Sequence, residues 1–305
     1  MSWLFLGLVA PLLWAIANHT DKYLLTRYSK DGGIGALVIL SALVSVVSLP
    51  VLGLFDPAAL GIGATAAVEL IAAGILQTLA TLAYLYAMEK EEASVVAPLF
   101  QTIPLFGFVL GYFILGEMLT GRQMMAAGIV LAGSSLLSLD IRGRSIRIRG
   151  RAVACMLVSA LLFALAGVIF KKVAVAESFW IATFWNYAGV VIAGAMLFLV
   201  VKPYRKQFLH LLHSSTAEVL GLTSGAEVLT IAGSLAASYA TLLAPIALVW
   251  VVTSSQPVFV LLIGIALTLR WPSVGQESLH RKDMVQKLAG VALIVLGSVL
   301  LAQQG

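Results

Sequence analysis

Ten long runs of apolar residues, separated by short polar interruptions, make up almost the whole chain. The runs lie at 3–25, 32–54, 65–88, 93–115, 122–140, 152–170, 179–201, 217–241, 245–269 and 287–302. Most approach the roughly 20 residues that a helix needs to cross about 30 Å of hydrocarbon. The alternating pattern of barrel strands is absent. A backbone exposed to lipid must satisfy its hydrogen bonds within the segment, so the runs are predicted to be helices. Two carry marked polar features: 3–25 ends in Asn18-His19-Thr20-Asp21-Lys22, and 217–241 contains Glu227. The stretch 204–215 differs. It sets Phe208, Leu209, Leu211 and Leu212 beside Arg205, Lys206, His210 and His213, which predicts a short amphipathic segment lying flat at the membrane surface.

Composition supports this reading. Apolar residues are 61% of the 305 and charged residues 11%, with a mean hydropathy of +1.02. Soluble domains are about 45–50% apolar and about 25% charged. Too few charges are present to cover a water-facing surface, which excludes a soluble enzyme, a nucleic-acid binder and a disordered chain. Ten spans of about 22 residues leave roughly 85 for loops and tails, too few for an extramembrane domain. The start, Met1-Ser2-Trp3-Leu4, lacks a basic leader and reads as the first span. Cys155, the one cysteine, lies inside an apolar run and carries no information on redox compartment.

The segment 142–151 holds five arginines in ten residues and divides the spans five and five. An internal repeat is therefore expected. An offset of 149 sets Leu12-Leu13-Trp14-Ala15-Ile16-Ala17 on Leu161-Leu162-Phe163-Ala164-Leu165-Ala166, and Lys22 on Lys171. An offset of 153 sets Tyr86-Ala87 on Tyr239-Ala240 and Pro104 on Pro257. Both halves close with glycine-spaced apolar runs. Five is odd, so the second half must enter the membrane the other way up, as an inverted repeat. The expected organisation is a first five-helix repeat at 1–140, a basic cytoplasmic linker at 141–151 and a second repeat at 152–305.

Basic residues also set orientation. Of the 19 lysines and arginines, 16 fall after odd-numbered spans, and only Arg122, Lys171 and Lys172 fall on the other side. Cytoplasmic loops carry the basic excess. Both termini are thus expected outside and the arginine-rich segment inside. The net charge of +5 reflects this topology rather than nucleic-acid affinity. Lys171 and Lys172 are the main exceptions, and facing the cavity would account for them.

Several polar residues stand out within the spans. Pro98, Gln101, Thr102 and Pro104 interrupt 93–115, while Trp250, Thr253, Ser254 and Pro257 interrupt 245–269. Interrupted helices at matching places in two halves point to a transporter's binding site. Packing with hydroxyls re-satisfying freed carbonyls is the alternative. Gln77, Thr81 and Tyr84 form a stripe on 65–88. It faces either a cavity or neighbouring helices, because polar groups facing lipid are costly. Gly107 and Gly111 predict close internal packing. Trp14, Asn18, His19, Asp21 and Lys22 suit an interfacial cap, though Asn18 and His19 lie deeper. His19 with Asp21, or His210 with His213, lacks enough nearby ligands for a metal. Glu69 reads as an interface residue, only about four residues into its span.

Glu227 is the outstanding residue. A carboxylate at mid-membrane depth must be protonated, paired or hydrated. Thr230, Ser234 and Ser238 follow on one face, which would place Glu227 beside a substrate in a partly wet cavity. A structural role bonded to a neighbouring helix is the alternative. Catalytic and phosphate-binding motifs are absent, so neither an enzyme nor a cofactor is expected.

Ala93-Ser94-Val95-Val96-Ala97-Pro98, Pro104-Leu105-Phe106, Leu115-Gly116-Glu117-Met118-Leu119 and the Gly128-rich helix that follows resemble the end of an EamA repeat, of the drug/metabolite transporter superfamily. The ten-span, two-repeat layout extends this resemblance to nearly the whole chain. It implies a central cavity enclosed by spans 1, 3, 4, 6, 8 and 9, and export of amino acids, metabolites or drugs. In the second half, Arg270 stands where Glu117 has its counterpart. The first-span glutamate of small multidrug relatives is absent.

The expectation is an all-α polytopic inner-membrane protein, a secondary transporter of a small polar or amphipathic metabolite. It would work by alternating access, driven by exchange or protons, as a monomer or a dimer in the lipid bilayer. A translocator of a lipid or lipid-linked sugar is the first alternative; an intramembrane enzyme or scaffold is the second. The expected substrate-binding residues are Trp14, Asn18, His19, Gln77, Thr81, Tyr84, Gln101, Thr102, Glu227, Thr230, Ser234, Trp250 and Ser254.

Overall fold

The computed structural model describes residues 2–27, 33–90, 99–138, 150–214, 217–271 and 281–303. These residues form helices with no strand among them: α1 Ser2–Arg27, α2 Ile34–Phe55, α3 Ala64–Lys90, α4 Ile103–Leu110, α5 Gly121–Ser138, α6 Gly150–Ala176, α7 Phe179–Val200, α8 Lys202–Ser214, α9 Ala217–Leu243, α10 Ile246–Thr253, α11 Gln256–Arg270 and α12 Arg281–Ala302. Among the described residues, eight helical stretches are long and apolar enough to cross a membrane, with α10 and α11 together making one. The other two expected spans fall on the shorter apolar stretch Ile103–Leu115 and on α5. The arginine-rich segment from 142 to 149, Pro98, and the side chains of Asp21 and Lys22 lie outside the described residues.

Large apolar side chains project outward from the spanning helices. Phe5, Val47, Leu54 and Phe113 are each at least 70% exposed. On a soluble protein this surface would drive association; on helices of this length it is the lipid face.

Inside, α1 packs along α9, α3 along α6 and α7, α2 along α7, and α5 along α12. Small residues permit the closest approaches. On the α3–α7 seam, a Cβ added at Gly74 would lie 2.0 Å from the Asn186 carbonyl oxygen, and one at Gly189 would lie 2.2 Å from that of Ile71. The two closing helices meet the same way, Gly133 against Gly290. The short helix α10 sits deepest. Ile246, Ala247, Leu248, Val249, Val251, Val252 and Thr253 are all buried, which leaves Trp250 as its least enclosed residue.

The amphipathic segment forms α8. Its Phe208 is buried against Ala36, Ile39 and Leu40 of α2, while Lys202, Lys206 and His210 stay exposed. The Gly35 N–H donates to Gln207 Oε1 at 3.1 Å and fixes α8 to the start of α2.

Candidate functional site

Two helices are interrupted at positions 153 residues apart. The helical pattern breaks at residues 101–102, before α4, and again at 254–255, between α10 and α11. Pro104 and Pro257 each lie just beyond a break and supply no N–H to the turn before them. Short local bonds close both breaks. The Thr102 N–H donates to Leu99 O at 3.1 Å, and the Ser255 N–H to Val252 O at 3.0 Å. The Thr102 hydroxyl donates to Leu99 O and the Ser254 hydroxyl to Trp250 O. Gln101 is half-buried beside the first break. The Ser255 hydroxyl is buried, with no hydrogen-bond partner among the described residues. Trp250, one turn before the second break, fills the seam between α4 and α6. A Cβ at Gly107 or at Gly167 would lie 2.4 Å from its ring. Gly107 and Gly111 thus make an internal contact, with Gly111 facing Ile246 and Glu117.

Beyond α4 the chain widens into a single turn at Gly111–Leu115 and ends at Gly116, whose φ is 68°. A left-handed residue here is the usual work of glycine, since a Cβ would be strained. The reversal lets the Glu117 N–H return to Gly111 O at 3.1 Å and aims the carboxylate back into the bundle. There Glu117 pairs with Lys171 of α6; the two side chains are only 15% and 10% exposed. The Ile246 N–H donates to Glu117 Oε2 at 2.8 Å. Lys171 Nζ donates to Ala244 O at 2.7 Å. One ion pair thereby ties the end of α4, the end of α6 and the α9–α10 turn. Lys172, the next residue, pairs with both oxygens of Glu69 at 2.9 Å in a more exposed position. The two lysines that ran against the charge asymmetry are each matched by a carboxylate.

A third constellation surrounds Glu227. The Ser41 hydroxyl of α2 donates to Glu227 Oε2 at 3.1 Å. Tyr187 of α7, which is buried, lies within reach of Glu227. Ser41 opens onto a cavity of about 60 Å³ lined by Val38, Ser41, Gln77, Thr78, Thr81 and Val190. Among the residues expected from the sequence, this brings Gln77, Thr81 and Glu227 into one neighbourhood, and Ser41 joins them. A more open depression at Thr120, Gly121, Arg122, Gln123 and Gln303 lies at the far end of the bundle, away from this polar set.

The other expected residues fall elsewhere. Trp14 Nε1 donates to Thr230 O at 3.2 Å, where α1 crosses α9 near Gly233. The Ser234 hydroxyl also donates to Thr230 O. His19 Nε2 bonds Val260 O at 2.9 Å and links α1 to α11. Asn18 is exposed. Tyr84 belongs to an aromatic group with Phe100 and Phe163, with ring centroids 5.1 and 5.9 Å apart. Sequence reasoning passed over Ser41, Tyr187 and the Glu117–Lys171 pair. A serine in an apolar run carries no signal of its own. The signal for Glu117 was the left-handed glycine before it.

The whole fold has a counterpart among solved proteins. One crystal structure superposes over 99% of this chain and 97% of its own, with a TM-score of 0.64 at 16% identity. At that identity the likeness shows the fold alone. No curated protein matches the chain. A family profile does match: residues 1–139 fit that of the EamA-like transporter family. The match takes in α1 to α5, and with them the Gly116 turn, Glu117 and the first helix break. Residues 1–139 of this multi-pass membrane chain are therefore similar to the EamA-like transporter family, a family of the drug/metabolite transporter superfamily.

Proposed function

We propose that the protein is a secondary transporter of a small polar or amphipathic metabolite, working by alternating access between two inverted five-helix halves. Both termini lie outside, the basic linker 141–151 lies in the cytoplasm, and the membrane is the inner, cytoplasmic one. One observation carries the reading. Glu227, ten residues into a spanning helix, is bonded by Ser41 at the edge of a polar cavity that also presents Gln77 and Thr81. The cost of carrying a carboxylate to this depth is repaid where it meets a substrate or a proton. The two helix breaks at an offset of 153 support the repeat, since interrupted helices at matching places build central transport sites. The Glu117–Lys171 pair and the Trp250 wedge support a conformation shut at that end. Opening it requires both contacts to part.

Glu227 gains and loses a proton as its cavity faces one side and then the other, which couples transport to pH. The test is Glu227→Gln in reconstituted vesicles under an imposed pH gradient. Uptake or export by the parent protein follows the gradient, and the variant inserts normally but loses that dependence. An unchanged pH profile in the variant overturns proton coupling through Glu227.

A further inference from the structure

We infer that the outer face of α8 binds the anionic phospholipid headgroups of the bilayer and, through that contact, fixes the start of α2. The helix has two faces of different character. Tyr204, Phe208 and Leu211 turn inward, against Ala36, Ile39 and Leu40 of α2 and Phe198 of α7. The protein itself covers that face. The opposite face carries Lys202, Lys206, Leu209 and His213 at i, i+4, i+7 and i+11, all exposed. Arg205, half-buried, and Leu212, exposed, lie one turn to either side of Leu209.

Charge and apolar surface together select the partner. Lys202, Arg205 and Lys206 begin the helix, and among the described residues none of them pairs with a carboxylate. Three cations held close together on one helix attract a surface of fixed negative charge. A soluble acidic partner would meet the charges but leave Leu209 and Leu212 in water, at 42% and 37% exposure. Anionic phospholipid meets both needs. The cations take phosphate oxygens, and the leucines enter the boundary between headgroup and acyl chain. The position agrees, because α8 joins one spanning helix that ends at Val200 to another that starts at Ala217.

Joining two such helices does not require α8. The matching connection in the first half, residues 56–63, holds no lysine or arginine and makes only a short turn at Pro57–Gly61. What α8 adds is a contact with α2. The Gly35 N–H donates to Gln207 Oε1 at 3.1 Å. A Cβ at Gly33 would lie 2.1 Å from Gln207 Cδ, and one at Gly35 would lie 2.3 Å from the Tyr204 ring. The helix therefore sits directly on the first turn of α2, and Ser41 follows within two turns. Lipid that holds α8 at the surface holds this end of α2.

The test uses the full chain in nanodiscs of phosphatidylcholine, with or without phosphatidylglycerol. Leu212→Cys in a Cys155→Ala background carries an environment-sensitive fluorophore. Phosphatidylglycerol is expected to shift its emission to the blue. Lys202→Gln, Arg205→Gln and Lys206→Gln together should abolish most of that shift, and rising salt should shrink it in the parent chain, a series that decides the matter if the triple variant misfolds. Equal emission in the two lipids overturns the inference, as does a shift that neither salt nor the triple variant reduces. Inorganic phosphate or soluble polyglutamate, added to phosphatidylcholine discs, should leave the emission unchanged. A shift with phosphate assigns the face to a free anion, and one with polyglutamate to an acidic protein; either overturns the lipid assignment. Amide exchange over residues 34–41 reads the coupling to α2. It should slow in phosphatidylglycerol for the parent chain and not for Gln207→Ala, whose fluorophore still shifts. Exchange that ignores the lipid in the parent overturns the coupling.

Discussion

Glu117 and Lys171 form a buried ion pair across the two halves of the chain, and each is also bonded to backbone at the α9–α10 turn. A pair so enclosed is hard to lose one partner at a time. Breaking it leaves an unpaired buried charge, at a cost of about 3–5 kcal/mol. Glu117→Gln and Lys171→Met are each expected to lower thermal stability strongly in detergent. The double variant should be less damaged than the sum of the singles. A charge swap should restore little, because lysine at 117 would offer nothing to the Ile246 N–H. Lys172→Met, by contrast, should change stability by under about 1 kcal/mol, since its pair with Glu69 is more exposed. Additive losses for the Glu117 and Lys171 singles would show the pair to be uncoupled.

The α3–α7 seam depends on glycine. Gly74→Ala puts a methyl group 2.0 Å from the Asn186 carbonyl oxygen, and Gly189→Ala puts one 2.2 Å from that of Ile71. Each should destabilise by about 1–3 kcal/mol through overpacking. Gly128→Ala is the control, since nothing lies within 4 Å of its Cβ position. It should be neutral or stabilising by up to about 1 kcal/mol. Thermal unfolding of the three variants gives the comparison; equal behaviour would contradict the close seam.

Cysteine labelling tests the helix breaks. With Cys155 replaced, Gln101→Cys, Thr102→Cys and Ser254→Cys should react with water-soluble thiol reagents in the membrane. Val109→Cys and Leu262→Cys should not, since both parent side chains point outward into the lipid zone at 48% and 56% exposure. Uniform protection at the three polar sites would count against a cavity there.

Orientation is open to a direct measurement. Sixteen of the 19 basic residues fall after odd-numbered spans, and the positive-inside rule then puts both termini outside. Alkaline phosphatase fused after Gly305 should be active, and a fluorescent protein there should stay dark. The reverse pair of results would invert the topology.

Much of this protein is legible without coordinates. The membrane, the helices and their approximate ends follow from apolar runs, because lipid leaves the backbone no other way to satisfy its hydrogen bonds. Pro104 and Pro257 marked the two helix breaks, since a missing N–H is written in the residue itself. Glu227 was conspicuous for the same kind of reason: one carboxylate in a run of apolar residues has no local explanation. What neighbours these residues was not legible. Ser41 lies 186 positions from Glu227, and Lys171 lies 54 from Glu117. Neither pair leaves a periodic trace, because a contact between helices depends on how each is rotated and how closely glycine lets them approach. Trp14 shows the converse. It looked like a residue for a cavity, and its indole instead bonds the Thr230 carbonyl between two packed helices. Hydropathy is a property of each segment and can be read along the chain; a site is a property of which faces meet, and only packing in three dimensions decides that.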